Sequence, residues 1–148
     1  MAGIWRRPGL WLLLAALFVG ALTIWLPQRV AVTNAKVIGE IKTNPQGARA
    51  ARTMIVTLAD GRVYPVNYLR EGDRVFMAID GVWWRAFQED GQRVEMLIQN
   101  QRLLGHGKVV LDDPQFVAEV FARLRPKVPG WLPAWLNGKL VVIELSPQ

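Results

Sequence analysis

The chain has 148 residues, a formal net charge of +6 and no cysteine. The lack of thiols excludes disulfides, thiolate catalysis and cysteine-ligated metals, and leaves the redox compartment open. No Walker, dinucleotide or Gly-x-Ser-x-Gly signature supports a nucleotidase, Rossmann or hydrolase reading, and singly scattered Lys and Arg without a DNA- or RNA-binding pattern argue against nucleic acid.

The first feature along the chain is the uncharged run from Gly9 to Leu26, with Arg6 and Arg7 before it and Arg29 after it. As a helix rising about 1.5 Å per residue, such a run approaches the roughly 30 Å of a hydrocarbon core. Trp11 and Trp25 stand where indoles favour the headgroup region, and Pro27 is expected to stop the helix. The alternative is a cleaved signal peptide; the length of the run and the lack of a small-x-small site after it favour an uncleaved single-pass anchor in a lipid bilayer. The flanking charges nearly balance, with a slight lean towards an N-terminus inside and a domain outside the cytoplasm. With Arg6 and Arg7 set apart, 16 basic side chains face 12 acidic ones, a surplus of four. That surplus suits phosphate-bearing small molecules or an anionic membrane surface.

Residues 1–29 are thus read as tail and anchor, 30–52 as a connecting segment ending at the Asn44-Pro45-Gln46-Gly47 turn, and 53–148 as one domain. Thr53 to Leu58 is a β-branched run that ends at Asp60-Gly61, a hairpin signal. Arg62 to Leu69, Arg74 to Ile79, Val82 to Phe87, Arg93 to Gln99 and Arg102 to Leu111 read as further strands of an antiparallel meander. Gly105 and Gly107 in the last of these suggest a bulge or a close backbone approach. Asp112 or Asp113 can cap a helix with Pro114 in its first turn; Phe116, Val117, Val120, Phe121 and Leu124 then recur at helical spacing, and Pro126 ends it. The segment around Trp131 and Trp135 reads as a loop folded onto the barrel, and Lys139 to Leu145 as a last strand. The fold class expected is mainly β: a small barrel of about six antiparallel strands with one helix in its C-terminal half, because closure removes exposed edges.

The segment from Asp60 to Phe87, followed by Arg93 to Leu124, resembles the deazaflavin-dependent nitroreductase family of split β-barrel, flavin-reductase-like proteins. The resemblance rests on Pro65 within a strand, the Gly72-Asp73-Arg74 turn, Trp84, and Gly107 running on to Asp112-Asp113-Pro114. It departs from the family at the Gly-Arg-Lys-Ser-Gly phosphate turn, where Ala59-Asp60-Gly61-Arg62 stands, and at the Trp-Tyr-His-Asn-Leu segment, where Trp84-Arg85-Ala86-Phe87 stands. The resemblance implies a deazaflavin coenzyme or FMN that carries the hydride, while the protein holds a flat ring, anchors a phosphate and excludes water. It also implies a lipophilic acceptor such as a quinone or nitroaromatic, which the anchor would concentrate at the bilayer.

The candidate cofactor-binding residues are Arg49, Arg52, Arg62, Tyr64, Pro65, Trp84 and Arg85. Arg49 and Arg52, three apart, share a face if their segment is helical and could clamp a phosphate; the plainer reading is a solvated or lipid-facing basic surface. Tyr64, Tyr68, Trp83 and Trp84 could offer faces to a ring, or could fill the core. Adjacent Trp83 and Trp84 point to opposite faces unless the strand is broken. The lone His106 is a poor metal site but could donate a proton, and no catalytic residue is singled out. The function expected is a membrane-anchored flavin- or deazaflavin-dependent reductase; the alternative is a tethered, non-catalytic split barrel that binds a ligand or a protein. A homodimer is possible, with Trp131 and Trp135 at its interface.

Overall fold

The computed structural model describes residues 8–129 and 137–147, apart from the side chains of 8–10, 21–22 and 24–28. The chain divides into two compact units, Met1–Lys36 and Val37–Gln148. Residues 130–136, with Trp131 and Trp135, are not among the described residues, so the expected folding of that loop onto the barrel and its expected interface lie outside them.

The first helix, α1, spans Pro8–Thr43. It does not stop at Pro27. Proline in a helix interior removes one hydrogen bond at a cost of about 3 kcal/mol, and here helical residues on both sides carry the helix past it. The expectation of a transmembrane span is not met: among the described residues no helix is long and apolar enough to cross a membrane, and much of the second half of the Gly9 to Leu26 run lies outside the side chains described. Between Trp11 and Val19 the helix leaves large apolar side chains exposed, including Leu12, Leu13, Leu17 and Phe18. In the second unit, α1 ends at Thr43, and the turn expected at Asn44 to Gly47 follows, closed by a Gly47 N–H to Asn44 carbonyl bond of 3.0 Å.

Six strands follow: β1 (Thr53–Leu58), β2 (Val63–Glu71), β3 (Arg74–Ile79), β4 (Gln92–Ile98), β5 (Gln101–Val109) and β6 (Lys139–Leu145). They form a closed antiparallel barrel in the order β1-β2-β3-β6-β5-β4. The expectation of a six-stranded barrel holds, but a simple meander does not. After β3 the chain crosses the barrel end, β4 pairs back onto β1, and β6 enters between β3 and β5. Val82–Phe87 is therefore a 3₁₀ helix rather than a strand. β3 is already flanked by β2 and β6, so no edge remains for it to join.

Period-two alternation decides which side chains fill the barrel. Met54, Val56, Val66, Val75, Met77, Met96, Val141 and Ile143 point inward and are buried, and Phe87 of the 3₁₀ helix joins them with no exposure. Outward residues are covered on two sides. Ile55 and Leu97 meet Val37, Ile38 and Ile41 of α1 together with Ala50. Phe76, Ala78 and Leu140 meet Val120 and Phe121 of the second helix, α2 (Pro114–Leu124). Fully burying each such Val or Phe stabilises the fold by roughly 1.5–3 kcal/mol. α2 starts as expected, with Pro114 in its first turn and the Asp113 carboxylate accepting the Phe116 N–H at 2.9 Å.

The glycines of β5 mark close approach, not a bulge, because the pairings to β4 and β6 run without a break. A Cβ on Gly105 would sit 2.6 Å from the Glu144 carbonyl oxygen, and one on Gly107 would sit 2.8 Å from the Phe87 ring.

Candidate functional site

The expected cofactor residues separate into two groups. At the β1–β2 turn, Ala59 to Arg62, Asp60 pairs with Arg62: its carboxylate accepts the Arg62 backbone N–H at 3.0 Å and the Arg62 Nε–H at 2.7 Å, while Arg62 Nη1 reaches the Tyr64 hydroxyl at 3.5 Å. The backbone N–H, reinforced by the guanidinium, holds the Asp60 carboxyl below the usual carboxylate range, and Asp60 in turn raises the Arg62 guanidinium. A phosphate at this turn would have to displace a carboxylate. The aromatic residues nearby are also engaged. Trp83 stacks on Tyr64 with ring centroids 4.3 Å apart at 8°, and its edge meets Phe87 at 6.0 Å. Breaking the strand into a 3₁₀ helix lets both Trp83 and Trp84 pack against the barrel core, so the opposed placement expected of a strand is not seen. Trp84 carries the Arg85 guanidinium at 5.9 Å and the Lys139 ammonium at 5.8 Å over its ring. Pro65 pairs with Ile55 in the β1–β2 ladder.

Arg49 and Arg52 lie elsewhere. They line a cleft of about 720 Å³ with Thr53, Asn67, Tyr68, Asp80, the end of α2 at Arg123 and Leu124, and the segment after it from Arg125 to Val128. That volume falls within the roughly 300–1,000 Å³ of small-molecule sites. No lining residue of this cleft is a tryptophan; Tyr68 is its one aromatic among the described residues. Residues 48–52 form successive turns rather than a regular helix, with the Arg52 and Thr53 N–H groups both directed at the Arg49 carbonyl. Sequence reasoning missed Asn67, Arg123, Arg125 and Lys127. The last three alternate in Arg-Leu-Arg-Pro-Lys, a basic signal that stands some 70 positions from Arg52.

Five cations therefore share one concave surface. Arg49 pairs with Glu40 at 2.8 Å, Arg123 pairs with Glu71, and Arg125 pairs with both oxygens of Asp80 at 2.7 Å. Arg52 reaches only the Ala48 carbonyl, at 3.4 Å, and Lys127 has no partner among the described residues. The Thr53 hydroxyl donates to Asn67 Oδ1 at 2.9 Å, which leaves the Asn67 amide N–H groups for a ligand. Tyr68 donates to the Ala50 carbonyl at 3.4 Å, and burial pushes its phenol up. This arrangement can bind an anion; it holds no paired acid and base.

The remaining sequence candidates are structural. His106 is exposed on β5, its Nε2 2.5 Å from the Asp90 carbonyl oxygen, where it fastens the turn before β4. Asp113 caps α2. No group of His, Cys, Asp and Glu able to hold a metal occurs among the described residues.

No protein-family model matches the chain, and no curated protein matches it. Among solved structures, the chain is similar to a protein assigned as a pyridoxamine 5′-phosphate oxidase from Listeria innocua, with 10% identity and a TM-score of 0.52 over 74% of this chain and 93% of that one. An FMN-binding protein from Syntrophomonas wolfei aligns with 12% identity and a TM-score of 0.39 over 83% of this chain and 92% of that one. At these identities the first likeness establishes the fold alone, a six-stranded antiparallel barrel with a helix, and the second adds nothing to it.

Proposed function

We propose that the barrel is a flavin-type oxidoreductase module, using FMN or a deazaflavin coenzyme and held at a bilayer by the N-terminal part of α1. The observation that carries the proposal is the basic cleft, which has the size of a cofactor site and a positive excess suited to a phosphate-bearing cofactor. Of the residues singled out in the sequence, Arg49 and Arg52 line it, and Tyr68 adds an aromatic wall; Arg62, Tyr64, Pro65, Trp84 and Arg85 have no part in it. When bound, such a cofactor supplies the hydride, and the chain's own task is to seat it and to limit water. The exposed apolar side chains between Trp11 and Val19, within the uncharged Gly9 to Leu26 run, support contact with lipid. A tether of that kind places the barrel where a quinone or nitroaromatic acceptor concentrates.

A second reading, a tethered split barrel that binds a ligand or protein without catalysis, is favoured by two observations. The Asp60–Arg62 pair occupies the turn that binds phosphate in the nitroreductase family, and the Tyr64–Trp83 stack covers one face of each of those rings. Titration of the full chain in detergent micelles with FMN and with the deazaflavin coenzyme separates the two. Saturable micromolar binding of either is expected, and failure of both would leave only the non-catalytic module.

A further inference from the structure

We infer that Arg52, Lys127 and the Asn67 amide form a clamp for a phosphate monoester dianion. The clamp rests on the reading of the cleft as the ligand site, and specifies what the cleft selects. Five cations and their three carboxylate partners leave two positive charges without compensation on one concave surface. Like charges that share a concave surface repel, so the surplus favours an anion there. A phosphate monoester carries about −1.5 to −2 at neutral pH and three acceptor oxygens, matching the two cations in charge and the Asn67 amide in hydrogen bonding. A phosphodiester, with a single charge, would leave half of the surplus unanswered.

The local structure explains why these residues and not their neighbours. Arg49 and Arg123 are tied to Glu40 and Glu71, and Arg125 is held by both Asp80 oxygens and reaches the Ala78 carbonyl, so these three shape the wall. The Thr53 hydroxyl fixes Asn67 through its Oδ1 and thereby turns its donors outward from that bond. The Arg62 turn is neutralised by Asp60, and the anion site of this chain lies at the other end of β1 from the turn, where Thr53 pairs with Asn67.

The monoester could belong to a soluble cofactor or to a lipid headgroup, and the experiment has an arm for each. The full chain in detergent is titrated with inorganic phosphate, FMN and riboflavin, and the chain in membranes is tested against phosphatidylcholine vesicles containing phosphatidic acid, a monoester, or phosphatidylglycerol, a diester. Wild type is expected to bind inorganic phosphate, with about tenfold weaker binding for Arg52→Ala or Lys127→Ala, in line with loss of one charge-assisted contact each, while Arg62→Ala stays at the wild-type affinity. All three side chains are solvent-accessible, so far-UV circular dichroism should find each variant folded. FMN binding well above riboflavin supports a cofactor source, and preference for phosphatidic acid over phosphatidylglycerol supports a lipid source. Equal binding of FMN and riboflavin overturns the clamp but leaves the flavin reading standing; phosphate binding without any flavin binding does the reverse. An Arg52→Ala/Lys127→Ala double variant that binds phosphate as wild type does, or a loss confined to Arg62→Ala, overturns the clamp outright.

Discussion

The contact between Gly107 and Phe87 sets the end of the barrel and can be tested by a double-mutant cycle. Phe87 is wholly buried, and the space a Gly107 Cβ would need lies 2.8 Å from its Cε1, 3.0 Å from its Cδ1 and 3.3 Å from Ile143 Cγ1. A buried ring with Trp83 edge-on at 6.0 Å has little room to retreat. Gly107→Ala should therefore destabilise the chain by about 1–3 kcal/mol through overpacking. Phe87→Ala should cost about 3–5 kcal/mol through the cavity it leaves. In the double variant the added methyl enters that cavity, so the combined loss should fall short of the sum by at least about 1 kcal/mol. Denaturant midpoints of the full chain in detergent, followed by far-UV circular dichroism, give the three differences. Additivity within about 0.5 kcal/mol would mean that Phe87 does not plug the barrel against β5.

Asp113→Ala removes the cap on the Phe116 N–H and should lower stability by about 1 kcal/mol, read as a shift in the same midpoint, with Asp113→Asn retaining most of it. Burial raises the Tyr68 phenol in the folded chain, so the native state holds that proton more tightly than the unfolded state does. The stabilisation is full below the ordinary tyrosine range near pH 10 and is lost as pH rises through the higher folded value. Ultraviolet titration should show a late-ionising phenol that is absent from Tyr68→Phe, and an unchanged titration in that variant would refute the assignment.

Where one residue type had one physical use, the sequence was a sufficient guide. The Asp113-Pro114 start of α2, the β-branched runs of β1 and β6 and the paired glycines of β5 each answer to a local rule, and each took the form expected. The segment Val82–Phe87 did not, because its hydrophobic composition suits a strand and a plugging turn equally; only the pairing of β3 with β6 removes the first option. The candidate site was half legible. Arg49 and Arg52 drew attention as a pair, but their cleft is completed by residues from β2 and from the end of α2, and long-range proximity leaves no mark on local spacing. The aromatic residues carry the same ambiguity: a tryptophan able to hold a ring can also stack on a neighbouring tyrosine, as Trp83 does on Tyr64.

The insertion of β6 between β3 and β5 governs how the protein can be made. Of the six barrel strands it leaves the ribosome last, and only its arrival between β3 and β5 closes the ring. Until it arrives, the nascent chain carries two facing unpaired borders, on β3 and on β5, each able to recruit a foreign strand. Quality control during synthesis should thus bear on this chain most heavily between the emergence of β5 and that of β6.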